Sequence, residues 1–403
     1  MAWWTDDGAS PTSLTHMSKH DFGPAEFSLR RDSLRLAMRN IELDWLLLFH
    51  PMSIHWLTGS DAKSYQEFQC LLVSAEPGPW IILTREGERN EYELDALVDQ
   101  VHTYGGGENE DPIAAFGKLA EAHKLPGKRV GMEVPAYYLH PHHYLGLRAL
   151  LGNALVSEPS NMVHDLKLVK SDAELAYIRQ ASSKADAAMT VFAGALQVGR
   201  SELAVAGQVM GSLMAANSGL AASPINLVSG ERSSFSHGAP TERVLRDGDF
   251  GSVEFGATHR RYTATIGRQF SIGQPTPRMQ ELYALVRSAC DACIAKMRDG
   301  VPAAEPHAAA KAVIEQAGMG PYRVHTSGYG LGPGFPPSWA EPLHLISDST
   351  YTLRAGMVVT VEPPIFIGAE SLGARLIDNV LITKNGGELL SRYSRDLIVV
   401  AND

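Results

Sequence analysis

The run Phe250-Gly251-Ser252-Val253-Glu254-Phe255-Gly256 sets one carboxylate among apolar and small residues on both sides. Removing an unpaired charge from water costs several kcal/mol or more. Chains keep such a residue in a buried strand when it ligates metal, makes a structural hydrogen bond or performs chemistry. Glu362 stands in the same kind of run, Gly356-Met357-Val358-Val359-Thr360-Val361-Glu362-Pro363. Two carboxylates that each emerge from a buried strand form a constellation. They ligate metal, or they divide acid, base and nucleophile duties through different pKa values. The plainer arrangement is two structural carboxylates, each with its own arginine or backbone partner.

The 403 residues suffice for two or three domains. Hydrophobic residues make up 44% and charged residues 20%, an ordinary globular composition with material for large cores. A net charge of -10, without a run of Lys or Arg, argues against nucleic acid as a partner. No apolar stretch approaches the roughly 20 residues of a membrane span, so no membrane partner is expected. The start of the chain, with Trp3, Trp4, Asp6 and Asp7, lacks a signal-peptide layout. Three cysteines point to a reducing compartment, and a cytoplasmic location is expected. Cys290 and Cys293 read as core-facing residues of a helix rather than a zinc or redox pair.

Residues 1–22 are polar and read as an N-terminal arm. Over 23–165, strand-like runs at 45–49, 70–73, 80–83 and 129–133 alternate with helical periodicity. That pattern is an α/β domain with a partly parallel sheet. Over 166–403 the order is two helices, strands, two helices, strands, an α+β pattern resembling a duplication of elements. The helices are expected at 172–195, 201–217, 279–298 and 304–317.

Three further places carry candidate chemistry. His237 lies in Ser236-His237-Gly238, a loop of small residues, and imidazole is the usual general base near neutral pH. His325 and Tyr329 belong to a segment with four glycines in ten residues, 325–334, which reads as a loop able to pack against substrate. Its spacing matches neither phosphate-binding glycine pattern. The run Phe335-Pro336-Pro337-Ser338-Trp339-Ala340-Glu341 reads as a rigid aromatic wall of a small-molecule pocket.

Trp56-Leu57-Thr58-Gly59, Lys170-Ser171, Gly330-Leu331-Gly332, the run ending at Glu362-Pro363 and the segment 375–383 together carry a resemblance. The chain resembles the creatinase/aminopeptidase P/methionine aminopeptidase superfamily. This implies a pita-bread catalytic domain at 166–403, preceded by a creatinase-type α/β domain at 23–165. Peptidases of that superfamily hold two divalent metals with two Asp, one His and two Glu. The matching positions here are Glu254, Thr265, Tyr329, Glu362 and Ile377. Thr and Tyr hydroxyls are poor ligands and Ile is none, so neither metal nor another cofactor is expected. Asp378, one residue past the lost ligand, would face the other side of its strand.

The metal-free members are then the relevant ones. The chain looks most similar to ectoine hydrolase, at Gln69-Cys70, Tyr137-Tyr138, Arg261-Tyr262, Gly328-Tyr329 and the run from Phe335 to Glu341. His237 falls at the position of the catalytic histidine of creatinase. Thr263 and Glu362 depart from the ectoine hydrolase pattern. The resemblance implies a metal-independent hydrolase that cleaves a carbon–nitrogen bond in a small cationic non-peptide, such as a cyclic amidine, guanidine or amide. His237 would be the general base, Glu254 a nucleophile or cation anchor, and Glu362 the second catalytic carboxylate. Tyr262, His325, Tyr329, Trp339 and Glu341, with Trp56 and Tyr65 from the N-terminal domain, would bind substrate. A homodimer is implied, its N-terminal domain reaching the partner's active site. The alternatives are a lyase of the dimethylsulfoniopropionate-cleaving kind, an Xaa-Pro peptidase-like enzyme and a non-catalytic binding module. The polar set His237, Glu254, Tyr329 and Glu362 favours an enzyme.

Overall fold

The structure is a computed structural model that describes residues 21–135 and 137–401. The expected arm at 1–22 falls, except for Asp21 and Phe22, outside the described residues. The chain divides into two compact units, Met1–Ser160 and Asn161–Asp403. Among the described residues no helix is long and apolar enough to cross a membrane.

The first unit is built on a mixed sheet. Its strands are β1 (Trp45–Leu48), β2 (Cys70–Ser74), β3 (Ile81–Arg85), β4 (Gln100–Tyr104), β5 (Val130–Met132) and β6 (Leu155–Ser157). They lie in the order β4-β3-β2-β1-β5-β6. β1 pairs parallel with β5 and antiparallel with β2, which matches the expected partly parallel sheet. Leu47, Leu72, Ile81, Phe116 and Leu147 form its core. Trp56 lies on the short helix Pro51–Thr58, capped by His50 and ended by Gly59 at φ 77. Every residue of that helix is buried, so it carries no amphipathic period. Arg30 stacks 4.9 Å from the Trp56 ring and donates to the Trp56 carbonyl. The Tyr65 ring packs edge-on against Tyr138.

The second unit carries the remaining strands: β7 (Asn226–Ser229), β8 (Phe250–His259), β9 (Tyr262–Ile272), β10 (Tyr329–Phe335), β11 (Ser338–His344), β12 (Val358–Val361), β13 (Ile365–Ile367), β14 (Leu372–Ala374), β15 (Asp378–Ile382), β16 (Gly387–Leu389) and β17 (Ile398–Val400). The main sheet runs β16-β15-β12-β10-β9-β8-β7, with β11 on β10 and β17 on β9. Helices Asp172–Ala195 and Glu202–Ala215 pack on β7–β9 through Met189, Phe192, Val209, Val253 and Phe255. Helices Pro277–Lys296 and Ala304–Gln316 pack on β12 and β15 through Val286, Ile314, Val359 and Val380. Ser171 starts the first of these helices with a capping box, its hydroxyl accepting from Glu174 N while Glu174 accepts from Ser171 N. Cys290 and Cys293 are free buried thiols inside the second helix pair's core.

The glycine-rich segment departs from the expected loop. Residues 329–335 form β10, paired antiparallel with β11. The glycines clear space for β11 side chains rather than for a ligand. A Cβ on Gly332 would lie 2.5 Å from Glu341 Oε1, and one on Gly334 would lie 2.9 Å from Trp339 Cβ. Close packing of two backbones is the other use of glycine in a strand.

Candidate active site

Strand geometry decides where the two carboxylates point. Side chains alternate across a strand. On β8, Val253, Phe255 and Ala257 enter the helix-facing core, so Glu254 points the other way. On β12, Val359 and Val361 enter the core, so Thr360 and Glu362 face away from the helices. Both carboxylates line one small chamber of about 30 Å³, with His237, His325, Tyr329 and Arg375. A wider cleft of about 220 Å³ shares His237, Glu254, His325 and Tyr329 with the chamber and adds Trp339 and His344.

The two carboxylates are held differently. Glu254 Oε2 accepts from Arg375 Nη1 at 2.6 Å and from Asn226 Nδ2 at 3.0 Å. Arg375 is itself fixed: it donates to the Ser236 carbonyl and lies 5.5 Å from the Phe366 ring. Glu362 forms no ion pair with Lys or Arg among the described residues. Its Oε1 is buried and accepts no hydrogen bond among the described residues. His325 Nδ1 lies 3.8 Å from Glu362 Oε1. That is not an ion pair, because burial lowers the His325 pKa and its Nδ1–H donates to the Thr326 carbonyl at 3.2 Å. Burial first, then the charge of Glu254, push the Glu362 carboxyl well above the ordinary carboxylate range. Arg375 and the Tyr329 hydroxyl pull the other way and do not cancel this.

Of the residues singled out in the sequence, His237, Glu254, Glu362, His325, Tyr329 and Trp339 meet at this site. The His237 and His325 rings lie 5.7 Å apart. Glu341 does not belong to it. Its carboxylate is fully buried between Lys167 Nζ at 3.1 Å and Lys170 Nζ at 2.6 Å. On β11, Trp339, Glu341 and Leu343 are buried, while Ser338, Ala340 and His344 of the opposite parity line the cleft and Trp339 joins them there. Tyr262 is also misplaced, because its hydroxyl donates to Glu174 Oε1 at 2.6 Å inside the helix-capping network. Trp56 and Tyr65 sit in the packing of the first unit described above, and the cleft is lined by second-unit residues.

Arg375, Asn226 and His344 were missed. Arg375 sits in Gly373-Ala374-Arg375-Leu376-Ile377, a lone charge in an apolar run, and the rule that singles out Glu254 applies equally to it. Asn226 is legible only once register is known, since it pairs across β7 and β8 with Glu254.

The donors do not fit a pair of divalent metals. Thr265 Oγ1 donates to the Phe255 carbonyl, and its backbone N–H bonds Asn379. Ile377 packs against Gly267 and offers no donor. Asp378 faces away, paired with Arg268 at 2.9 Å and Arg395 at 2.7 Å. Glu254 already holds a guanidinium. Among the described residues no group of three or more His, Cys, Asp or Glu side chains could hold a metal ion.

Residues 176–384 match the model of metallopeptidase family M24, and residues 30–169 match that of the creatinase/prolidase N-terminal domain. The chain belongs to metallopeptidase family M24. Within M24, the Xaa-Pro dipeptidase of Pyrococcus horikoshii is 30% identical over 72% of this chain and 81% of its own length. The Xaa-Pro dipeptidase of Pyrococcus furiosus is 28% identical over 72% of this chain and 82% of its own length. The crystal structure of dipeptidase PepE from Mycobacterium ulcerans is 26% identical, with a TM-score of 0.81 over 94% of this chain and 100% of that chain. The expected creatinase-type N-terminal domain followed by a pita-bread domain therefore stands for this M24 chain.

The expected chemistry does not stand. The relatives found are named as peptidases, which overturns a hydrolase of non-peptide carbon–nitrogen bonds. The site gives a physical reason to drop the small cationic substrate as well. Arg375 pairs with Glu254, and burial pushes the Glu362 carboxyl well above its ordinary range, which lessens the negative charge facing the chamber.

The neutral Glu362 predicts a pH effect on stability. In the fold it keeps its proton where the unfolded chain has lost it. Its favourable contribution is complete below the unfolded value of about 4.3 and is lost as pH rises toward the folded value. Glu362→Gln does not titrate. The variant should melt close to wild type near pH 4 and progressively higher than wild type toward pH 8, by about 2–4 °C per kcal/mol removed. Melting curves over that range check it, and a constant difference would contradict a neutral buried Glu362.

Proposed function

We propose that this M24 chain hydrolyses the peptide bond of a dipeptide-sized substrate, Xaa-Pro dipeptides being the first class to test. One observation carries the reading. Across a single chamber, Glu254 is ion-paired with Arg375 while Glu362 pairs with no Lys or Arg among the described residues. Two carboxyls in such different surroundings, one paired with a guanidinium and one buried without such a partner, are the arrangement of an acid–base pair. The names of the relatives support a peptide bond as the target. The cleft of about 220 Å³ is small for a ligand site, which suits a short substrate.

The roles follow from chemistry. His237 takes a proton from water as the water oxygen bonds to the carbonyl carbon. Glu254, held by Arg375, accepts a hydrogen bond on Oε1 from the second hydrogen of that water and fixes its direction. Glu362 gives its proton to the leaving nitrogen as the carbon–nitrogen bond breaks. His237 then returns its proton to Glu362, and one water is consumed for one acid and one amine released. No step runs through a metal, because the donor set described above does not fit one.

Chain length tests the reading. Purified protein should release two amino acids from Xaa-Pro dipeptides and should cleave tripeptides with the same bond far more slowly. Equal cleavage of long and short peptides, or none of any, would count against it.

A further inference from the structure

A hydrolysis of this kind develops negative charge on the carbonyl oxygen, and a donor must be waiting for it. The chamber's donors are mostly committed. Arg375 Nη1 and Nη2 each direct one hydrogen to a fixed partner, Glu254 and the Ser236 carbonyl. Asn226 Nδ2 directs one hydrogen to Glu254, and His325 Nδ1 faces the Thr326 carbonyl. Tyr329 is different. Its hydroxyl oxygen accepts from Trp339 Nε1 at 3.1 Å. Indole N–H is a donor only, so the phenol's own hydrogen points elsewhere, to the Glu362 carboxyl in the shared chamber, and turns about the C–O bond to a carbonyl oxygen when substrate enters. The ring is held in place at the other end as well, because Tyr329 N donates to Thr360 Oγ1 at 3.0 Å. Trp339 is buried, and its ring lies against Gly256, where a Cβ would come 2.8 Å from it.

We infer that Tyr329, set in place by Trp339, donates the hydrogen bond that holds the scissile carbonyl oxygen as it takes up charge. The inference rests on the peptide-bond reading above. As water bonds to the carbonyl carbon, the carbonyl π pair moves onto oxygen, and the Tyr329 O–H bonds that oxygen without giving up its proton. When the carbon–nitrogen bond breaks, the pair returns and the carbonyl reforms. Burial raises the phenol well above its ordinary range, so it stays a donor at neutral pH. The indole N–H polarises the same hydroxyl, which strengthens its donation along the chain. Tyr329 touches the reacting atoms and is catalytic. Trp339 acts through it and is a positioning residue.

A double-variant cycle on Xaa-Pro dipeptide hydrolysis tests this. Tyr329→Phe should cut kcat by about 10²–10³-fold with KM within a few-fold, as loss of one such donor does. Trp339→Phe keeps an aromatic wall and removes only the N–H; its kcat should fall by about tenfold, the worth of one ordinary hydrogen bond. Adding Trp339→Phe to Tyr329→Phe should cost nothing further. A Tyr329→Phe enzyme within a few-fold of wild type, or losses that multiply in the double variant, would overturn the assignment. A wall role for Trp339 would move KM instead and would also overturn it. If Tyr329→Phe melts early, Trp339→Phe assayed well below its transition decides by the same kcat-against-KM split. Wild type is the control: if it cleaves no dipeptide, the peptide-bond reading falls and takes this inference with it. Turnover retained without the phenol defeats this inference alone.

Discussion

Arg375→Met should destabilise the second unit by about 3–5 kcal/mol, the cost of removing one partner from a buried pair. Arg375 supplies the cation at 2.6 Å from Glu254, and neither side chain is more than marginally exposed. Methionine fills the volume without the charge and leaves a carboxylate facing an apolar strand. It also releases the Ser236 carbonyl, next to His237. Stability and activity should therefore fall together. Urea melts at neutral pH check the first, and the deficit should shrink as pH is lowered and carboxylates protonate. A loss below about 1 kcal/mol, the scale of an exposed pair, would mean the pair contributes little and that Glu254 finds another partner.

His237→Ala should leave the melting curve close to wild type and lower dipeptide turnover by about 10²–10⁴-fold, the range for a lost general base. The side chain stands in the segment between β7 and β8, outside the packed cores of the second unit. That placement separates the two readouts. A variant that keeps turnover within a few-fold transfers the base to His325 or Glu254, whose side chains line the same chamber.

Much of the site was legible because its acids break a pattern. Glu254 and Glu362 interrupt apolar runs, and strand alternation then places both on the face away from the helices. The same rule applies to Arg375 and was not used there. The β10–β11 hairpin was illegible for a different reason. Its glycines signal a loop locally, while their use is set by Glu341 and Trp339 on the neighbouring strand. Only the structure reveals that, and with it that His344 lines the cleft while Glu341 lies between two lysines. The helix Pro51–Thr58 escaped because a short, wholly buried segment has no period to read. The partner of Glu254 on β7 depends on register, which no local pattern determines. The substrate class followed from the resemblance to ectoine hydrolase and creatinase, and the relatives named as peptidases overturn it. Two free acids would suit a cation, whereas one paired with Arg375 and one pushed up by burial suit it less.

The most direct measurement is the pH dependence of kcat/KM on an Xaa-Pro dipeptide, for wild type and Glu362→Gln. A neutral Glu362 acting as the acid predicts wild-type activity that declines on the alkaline side as that proton is lost, and a Gln variant that folds but turns over about 10²–10⁴-fold more slowly. A Gln variant within a few-fold of wild type, with the same alkaline profile, would contradict the division of labour between the two carboxyls.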